Sequence, residues 1–176
     1  NEVYSKDISK KSASALHVKQ QNGEFIGAWA PYGYSKDPND KHHLIINEET
    51  APTFRQIFKW RSEGISVVQI GRRLNDAGIL SPSAYLYETG EVKTEKYKGV
   101  LWHTQIIKSI LAHPVYIGHM VQGRKKQSFY EGKRQTYVDK ENWIIVRNTH
   151  EPIIDEEIFE NVQQIANQRE SEYHER

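Results

Sequence analysis

The side chains best placed to do chemistry lie in one short run, Thr104-Gln105-Ile106-Ile107-Lys108-Ser109-Ile110-Leu111-Ala112. Ile106, Ile107, Ile110 and Leu111 recur at the spacing of one apolar helical stripe, which leaves Thr104, Gln105, Lys108 and Ser109 pointing outward. The outward residues are hydrogen-bonding types. A Gln amide can bond bidentately to adenine, a Lys ammonium reaches guanine or a phosphate, and a Thr methyl can meet the methyl of thymine. The same types also decorate any solvated helix, so on residue type alone base reading and a plain wet surface both stay open. His103, beside Trp102, reads as a helix-start residue or a phosphate contact. Pro114 ends the run, because the residue before a proline is pushed out of the helical region.

Cations form a second set. Arg72 and Arg73 fall outside the apolar stripe Val67, Ile70, Leu74 of the preceding helix, as does Asn75. A helix that precedes a recognition helix crosses the nucleic-acid backbone, so both arginines suit phosphate better than bases. The competing reading is a surface ion pair from Arg72 to Asp76, worth little. Arg124, Lys125, Lys126, Lys133 and Arg134 crowd a single loop, where they repel one another unless something anionic arrives. A solvated loop would look the same. The formal net charge of only +1 hides a polarised chain. Residues 98–134 hold seven basic side chains against Glu131, whereas residues 135–176 hold four basic against ten acidic.

Other chemistries find little support. Cys is absent, which removes disulfides and thiolate metal sites. His42 and His43 are adjacent, so on a strand they face opposite ways, and His113 and His119 have no carboxylate at ligand spacing. No metal or cofactor is therefore expected. There is no nucleophile elbow, phosphate-binding Gly loop or HExxH pair. No apolar run approaches the roughly 18 residues that a membrane span needs, and no signal-peptide pattern is present, so a cytoplasmic protein is expected. The chain starts at Asn1 and its only Met is Met120, as in a piece of a longer protein.

The elements that must position these groups are mostly helical. Asn1 to Gln21 is polar, with Tyr4, Ile8, Ala15 and Leu16 on a loose helical stripe. Gly23 to Tyr34 is extended and offers Trp29, Tyr32 and Tyr34 as flat surfaces, and the turn Asp37-Pro38-Asn39-Asp40 joins Tyr34 to Leu44-Ile45-Ile46 in a small hairpin. A first core helix is capped by Asn47 or Thr50, with Glu48 and Glu49 at its positive end, and carries Phe54, Ile57, Phe58 and Arg61. Ser66 caps a second helix, closed by Gly78. Leu80 to Leu101 is an insertion anchored by Trp102. After the third helix, Val115 to Gln122 and Thr136 to Arg147 read as strands of a hairpin tipped by the basic loop. Asp155 starts a last helix with Ile158, Phe159, Val162 and Ile165 on one face, followed by a charged, patternless tail. The expected fold class is α+β, mostly helical, with a helix-turn-helix core, a long insertion and a basic β-hairpin.

The order of the pieces adds to this. "GISVVQIGRRLNDAGILSP" followed by "WHTQIIKSILAHPVYIG" resembles the recombinase domain of large serine recombinases. That resemblance runs from "GAWAPYGY" to "HEPIIDEEIFENVQQI". It implies that residues 1–22 end a linker helix from a catalytic domain, with Lys10 and Lys11 close to phosphates, although a frayed terminus reads the same way. It implies that residues 23–170 form the DNA-binding domain and 171–176 a mobile tail. The implied partner is double-stranded DNA at an attachment site or transposon end. The parent protein would form a dimer on each site and a tetramer in synapsis. The family's nucleophilic Ser lies in a catalytic domain without a counterpart here, and its Cys-bearing zinc ribbon is absent too, so the fragment itself is not expected to be an enzyme. Two rivals remain: a stand-alone winged helix-turn-helix regulator, and a protein-interaction module built on the Trp29/Tyr32/Tyr34 patch.

Overall fold

A computed structural model describes residues 2–126 and 136–174. The fold is α+β, with six α-helices and three two-stranded antiparallel sheets among those residues. Two compact units divide the chain, one from residues 1–47 and 114–153, the other from 48–113 and 154–176.

The first unit opens with α1, Glu2–Gln21, a single continuous helix where the sequence pattern gives only a loose stripe. Tyr4, Ile8 and Leu16 on it are all exposed. The helix stops at Gly23, whose φ of 76° is left-handed and whose backbone N–H bonds the Gln20 carbonyl. A Cβ there would sit 2.9 Å from a Val146 methyl, so the turn has no room for another residue. Beyond it, β1 (Tyr34–Lys36) pairs with β2 (Leu44–Ile46), Tyr34 opposite Ile46. Their turn is tied by Asn39 N–H donating to Asp37 Oδ1, which holds that carboxyl below its usual value.

Tyr34 is not a surface residue. It is 4% exposed, and its hydroxyl donates toward the carbonyls of Val115 and Glu151. Its ring meets His150 edge-on at 4.8 Å and stacks on Tyr116 at 6.1 Å. Spacing alone groups the aromatics of the extended segment into one patch; burial removes Tyr34 from it and leaves Trp29 exposed. The two expected long strands are also broken up. Pro114–Ile117 is a 3₁₀ turn, β3 is Met120–Gln122 and β4 is Lys125–Lys126. On the return arm β5 (Thr136–Tyr137) pairs with β4, and β6 (Ile144–Val146) pairs with β3. A 3₁₀ turn at Lys140–Asn142 separates β5 from β6.

The second unit is helical. Helix α2, Ala51–Ser62, buries Phe54, Ile57 and Phe58 completely. Glu48 and Glu49 precede it rather than occupying its first turn, and Thr50 at the N-cap makes no side-chain cap bond. Helix α3, Val67–Asp76, starts with a full capping box between Ser66 and Gln69 and buries Ile70 and Leu74. An unforeseen helix α4, Pro82–Glu88, lies inside the insertion, capped by Ser81, whose hydroxyl also donates to the Val100 carbonyl. Helix α5 is Thr104–Leu111 and α6 is Glu156–His174. Phe159 of α6 stacks on Phe58 of α2 at 6.1 Å, and Val162 is buried, whereas Ile158 is 38% exposed and stands off the buried face. The backbone of α6 stays helical to His174, past the point at which the sequence pattern fades.

His150 is a buried titratable group of the first unit. A carbonyl only accepts, so His150 Nε2–H donates to Val115 O at 2.7 Å and Nδ1 accepts from the Thr149 hydroxyl at 2.8 Å. Burial pushes its pKa below the usual 6.5 despite the Val115 bond. The folded state therefore binds this proton less readily than the unfolded chain, so stability is intact above pH 6.5 and falls as pH drops below it. Urea midpoints measured from pH 7 down to 5 should decline, and His150→Gln, which keeps a donor to Val115, should flatten that decline.

Candidate nucleic-acid interface

Helix α5 has only eight residues, so its own backbone could not hold it in water. Three contacts fix it. Gly71 of α3 faces Ile107, and a Cβ there would lie 3.3 Å from the Ile107 Cδ1, so the two helices approach as closely as they do because residue 71 has no side chain. Asn75, near the end of α3, grips the residue before the helix start. Its Nδ2 donates to the Trp102 carbonyl at 3.0 Å, and its Oδ1 accepts from the Trp102 backbone N–H at 2.9 Å. Trp102 itself is 3% exposed, with its indole N–H on the Ile79 carbonyl at 2.9 Å. At the far end, Gln163 Nε2 of α6 donates to the Leu111 carbonyl at 2.6 Å, satisfying one of the orphan acceptors of a helix C-terminus.

Ile107, Ile110 and Leu111 are buried by this arrangement, and His103, Thr104, Gln105, Lys108 and Ser109 are all exposed. Ile106 is half-buried. The outward residues predicted from spacing thus share one accessible helix face, with His103 at its N-cap but making no cap bond. Arg72 and Arg73 on α3 are exposed as well. Arg72 forms no ion pair with Asp76 among the described residues. The Arg73 guanidinium lies over Trp60 of α2, 5.2 Å from the ring centroid, which orders it without neutralising it.

The basic arm belongs to the first unit. Arg124 lies over Trp143 at 5.0 Å and Lys125 over Tyr137 at 5.1 Å, so each cation has an aromatic ring as a partner, and among the described residues neither forms an ion pair. Lys126 is on β4, and Lys133 and Arg134 lie outside the described residues. Lys10 and Lys11 are exposed on α1. His42 and His43 have other partners: His42 Nδ1–H donates to Phe25 O and its Nε2 accepts from Lys19, while His43 meets Asp37 at 3.5 Å. No group of three or more His, Asp or Glu could hold a metal ion among the described residues, and no helix there is long and apolar enough to cross a membrane.

A family model described as Recombinase matches residues 48–169. The chain belongs to the recombinase family. The match takes in α2 to α6 and the arm. Among curated proteins, the uncharacterized protein YefB of Bacillus subtilis (strain 168) is 36% identical over 88 residues, or 50% of this chain and 27% of YefB. Among solved structures, the crystal structure of an LSR–DNA complex resembles 90% of this recombinase-family chain with a TM-score of 0.58 at 21% identity. A structure concerned with the sequence requirements of the Listeria innocua prophage attP site resembles 89% of it, with a TM-score of 0.57 and also 21% identity. At that identity the likeness speaks for the fold. This chain spans 38% and 51% of those two chains.

Spacing alone locates the accessible face of α5, but it misses Gly71, Asn75 and Gln163, which hold that face in place. By spacing, Asn75 falls among the solvent-facing residues. Its one legible signal is the Trp that follows the insertion, since a buried Trp backbone needs partners. Removing the Asn75 amide leaves both the N–H and the C=O of Trp102 without their partner, at a cost of about 1–3 kcal/mol. Asn75→Ala should lower unfolding free energy by that amount in urea titrations. Asn22→Ala, with the same chemistry at an exposed site, should change it far less.

Proposed function

We propose that this chain is the DNA-binding part of a large serine recombinase, recognising part of one attachment-site or transposon-end half-site in duplex form. The observation that carries the reading is the outward face of α5, where Thr104, Gln105, Lys108 and Ser109 are accessible on a helix locked at both ends. A rigid helix face with amide, ammonium and hydroxyl groups suits major-groove base edges. His103, Arg72 and Arg73 would neutralise adjacent phosphates. Arg124, Lys125, Lys126, Lys133 and Arg134 would do so from the arm, and Lys10 and Lys11 from α1. The likeness to an LSR–DNA complex and to an attP-site structure supports the same assignment.

The parent protein would carry its serine catalytic domain elsewhere and work in the cytoplasm. There it would act as a dimer on each site and a tetramer in synapsis, cleaving through a phosphoserine link. The role of this part is placement, since it brings that domain over the crossover point. Tyr34 belongs to the core, so the interaction-module alternative loses one of its three aromatic surfaces.

Selection from random duplexes at two salt concentrations tests the assignment. The expected outcome is an enriched motif whose binding falls with a log–log salt slope of about −5, as when roughly six of these cations meet phosphates at once. Gln105→Ala combined with Lys108→Ala should abolish enrichment while leaving circular dichroism unchanged, because both side chains are exposed. Recovery of no motif, with binding insensitive to salt, would overturn it.

A further inference from the structure

One apolar feature beside α5 stands apart from its hydrogen-bonding face. Leu101 is 66% exposed and Leu80 is 41% exposed, in a unit whose other leucines near the site are buried. The segments carrying them run side by side, because Trp102 Nε1 donates to the Ile79 carbonyl and Ser81 Oγ to the Val100 carbonyl. Those two bonds bracket Leu80 and Leu101. The alternation is also strict: Ser81 and Trp102 are buried, at 1% and 3%, and the leucines beside them point the other way. His103 is extended, with φ −131° and ψ 162°, and exposed. Leu101 and His103, on either side of the buried Trp102, are thus both exposed just before α5.

We infer that Leu101, flanked by Leu80, is an apolar specificity contact that packs on the 5-methyl group of a thymine at the edge of the stretch read by α5. This rests on the proposed reading of α5. The N-terminal residues of a recognition helix come closest to base edges, and Leu101 lies two residues before the N-cap of α5. The exposed surface is two side chains wide, and the chain leads from Leu101 through Trp102 and His103 into α5. A protein partner would need a far larger apolar area. In the major groove the chemistry that matches an aliphatic side chain is the thymine methyl, which no other base presents. The contact would add discrimination that Gln105 and Lys108 cannot supply, since both act through hydrogen bonds.

The test uses the motif selected by the wild-type protein. Thymines at and beside the α5 footprint are replaced one at a time by deoxyuridine, which removes only the methyl and keeps the pairing. Wild-type affinity should fall about fourfold at one position, the factor that burying one methyl-sized group carries. Leu101→Ala should bind the thymine site about fourfold more weakly and show no further loss with deoxyuridine there. Thr104→Ala should keep the deoxyuridine effect at that position. A wild-type protein indifferent to deoxyuridine everywhere overturns the contact while leaving the α5 reading intact. So does a Leu101→Ala protein that retains the full deoxyuridine effect. If no motif is selected at all, the α5 reading falls and takes the contact with it. The deoxyuridine arm needs no variant, so its outcome does not depend on how any substitution folds.

Discussion

The second unit turns on a side-chain amide imitating a strand partner. Asn75 offers one donor and one acceptor to the backbone of Trp102, and together these two bonds close the connection that runs from residue 77 to 103. Without that closure the start of α5 would depend on the Trp102 indole bond to Ile79 and the Ser81 bond to Val100 alone, and its exposed side chains would be less closely placed. With it, the helix start is registered against α3, the Trp102 ring is driven into the core, and the intervening α4 becomes an excursion that does not disturb the helix pair. Gln163 completes the hold from the opposite end. Eight residues with too few internal bonds to persist alone thus become one of the best-fixed surfaces of the unit.

The arm of the first unit solves a different problem. Arg124 and Lys125 are held over Trp143 and Tyr137, and ring faces attract cations without cancelling their charge. Carboxylate partners would have fixed the side chains equally well but would compete with any incoming anion. Arg73 on Trp60 follows the same pattern in the other unit. Order and retained positive charge go together at all three positions.

Much of this is legible in the residues, and the pattern of successes is physical. Periodicity of 3.6 locates the buried stripe of α5 and hence its outward face, because a short amphipathic helix has little choice about which side it buries. Ser66 marks the start of α3, an N-cap being a local device. The Asp37–Asp40 turn is equally local. What escapes is set by distant partners. Nothing near Tyr34 indicates that carbonyls of Val115 and Glu151 wait for its hydroxyl, and nothing near Asn75 reveals Trp102. Helix α4 is hidden in a different way: Tyr-Leu-Tyr between Pro82 and Gly90 is too short for a clear period. The long strands expected on either side of the basic loop fail because Pro114 favours a tight turn, and because the return arm relaxes into a 3₁₀ turn at Lys140–Asn142.

Neither unit is a single stretch of chain. The polypeptide passes from one to the other after residue 47, returns after 113 and leaves again after 153, so each unit is closed by a segment far along the sequence from the one that began it. A gene cut after residue 113 would split both units, whereas a cut after 47 leaves the second unit whole and a cut after 153 leaves the first whole. A contiguous DNA segment that carries either unit whole must therefore also carry part of the other. A hybrid that swapped only the α5 segment would keep its outward side chains and lose the Gln163 that steadies them, unless residues 154 onward travelled with it.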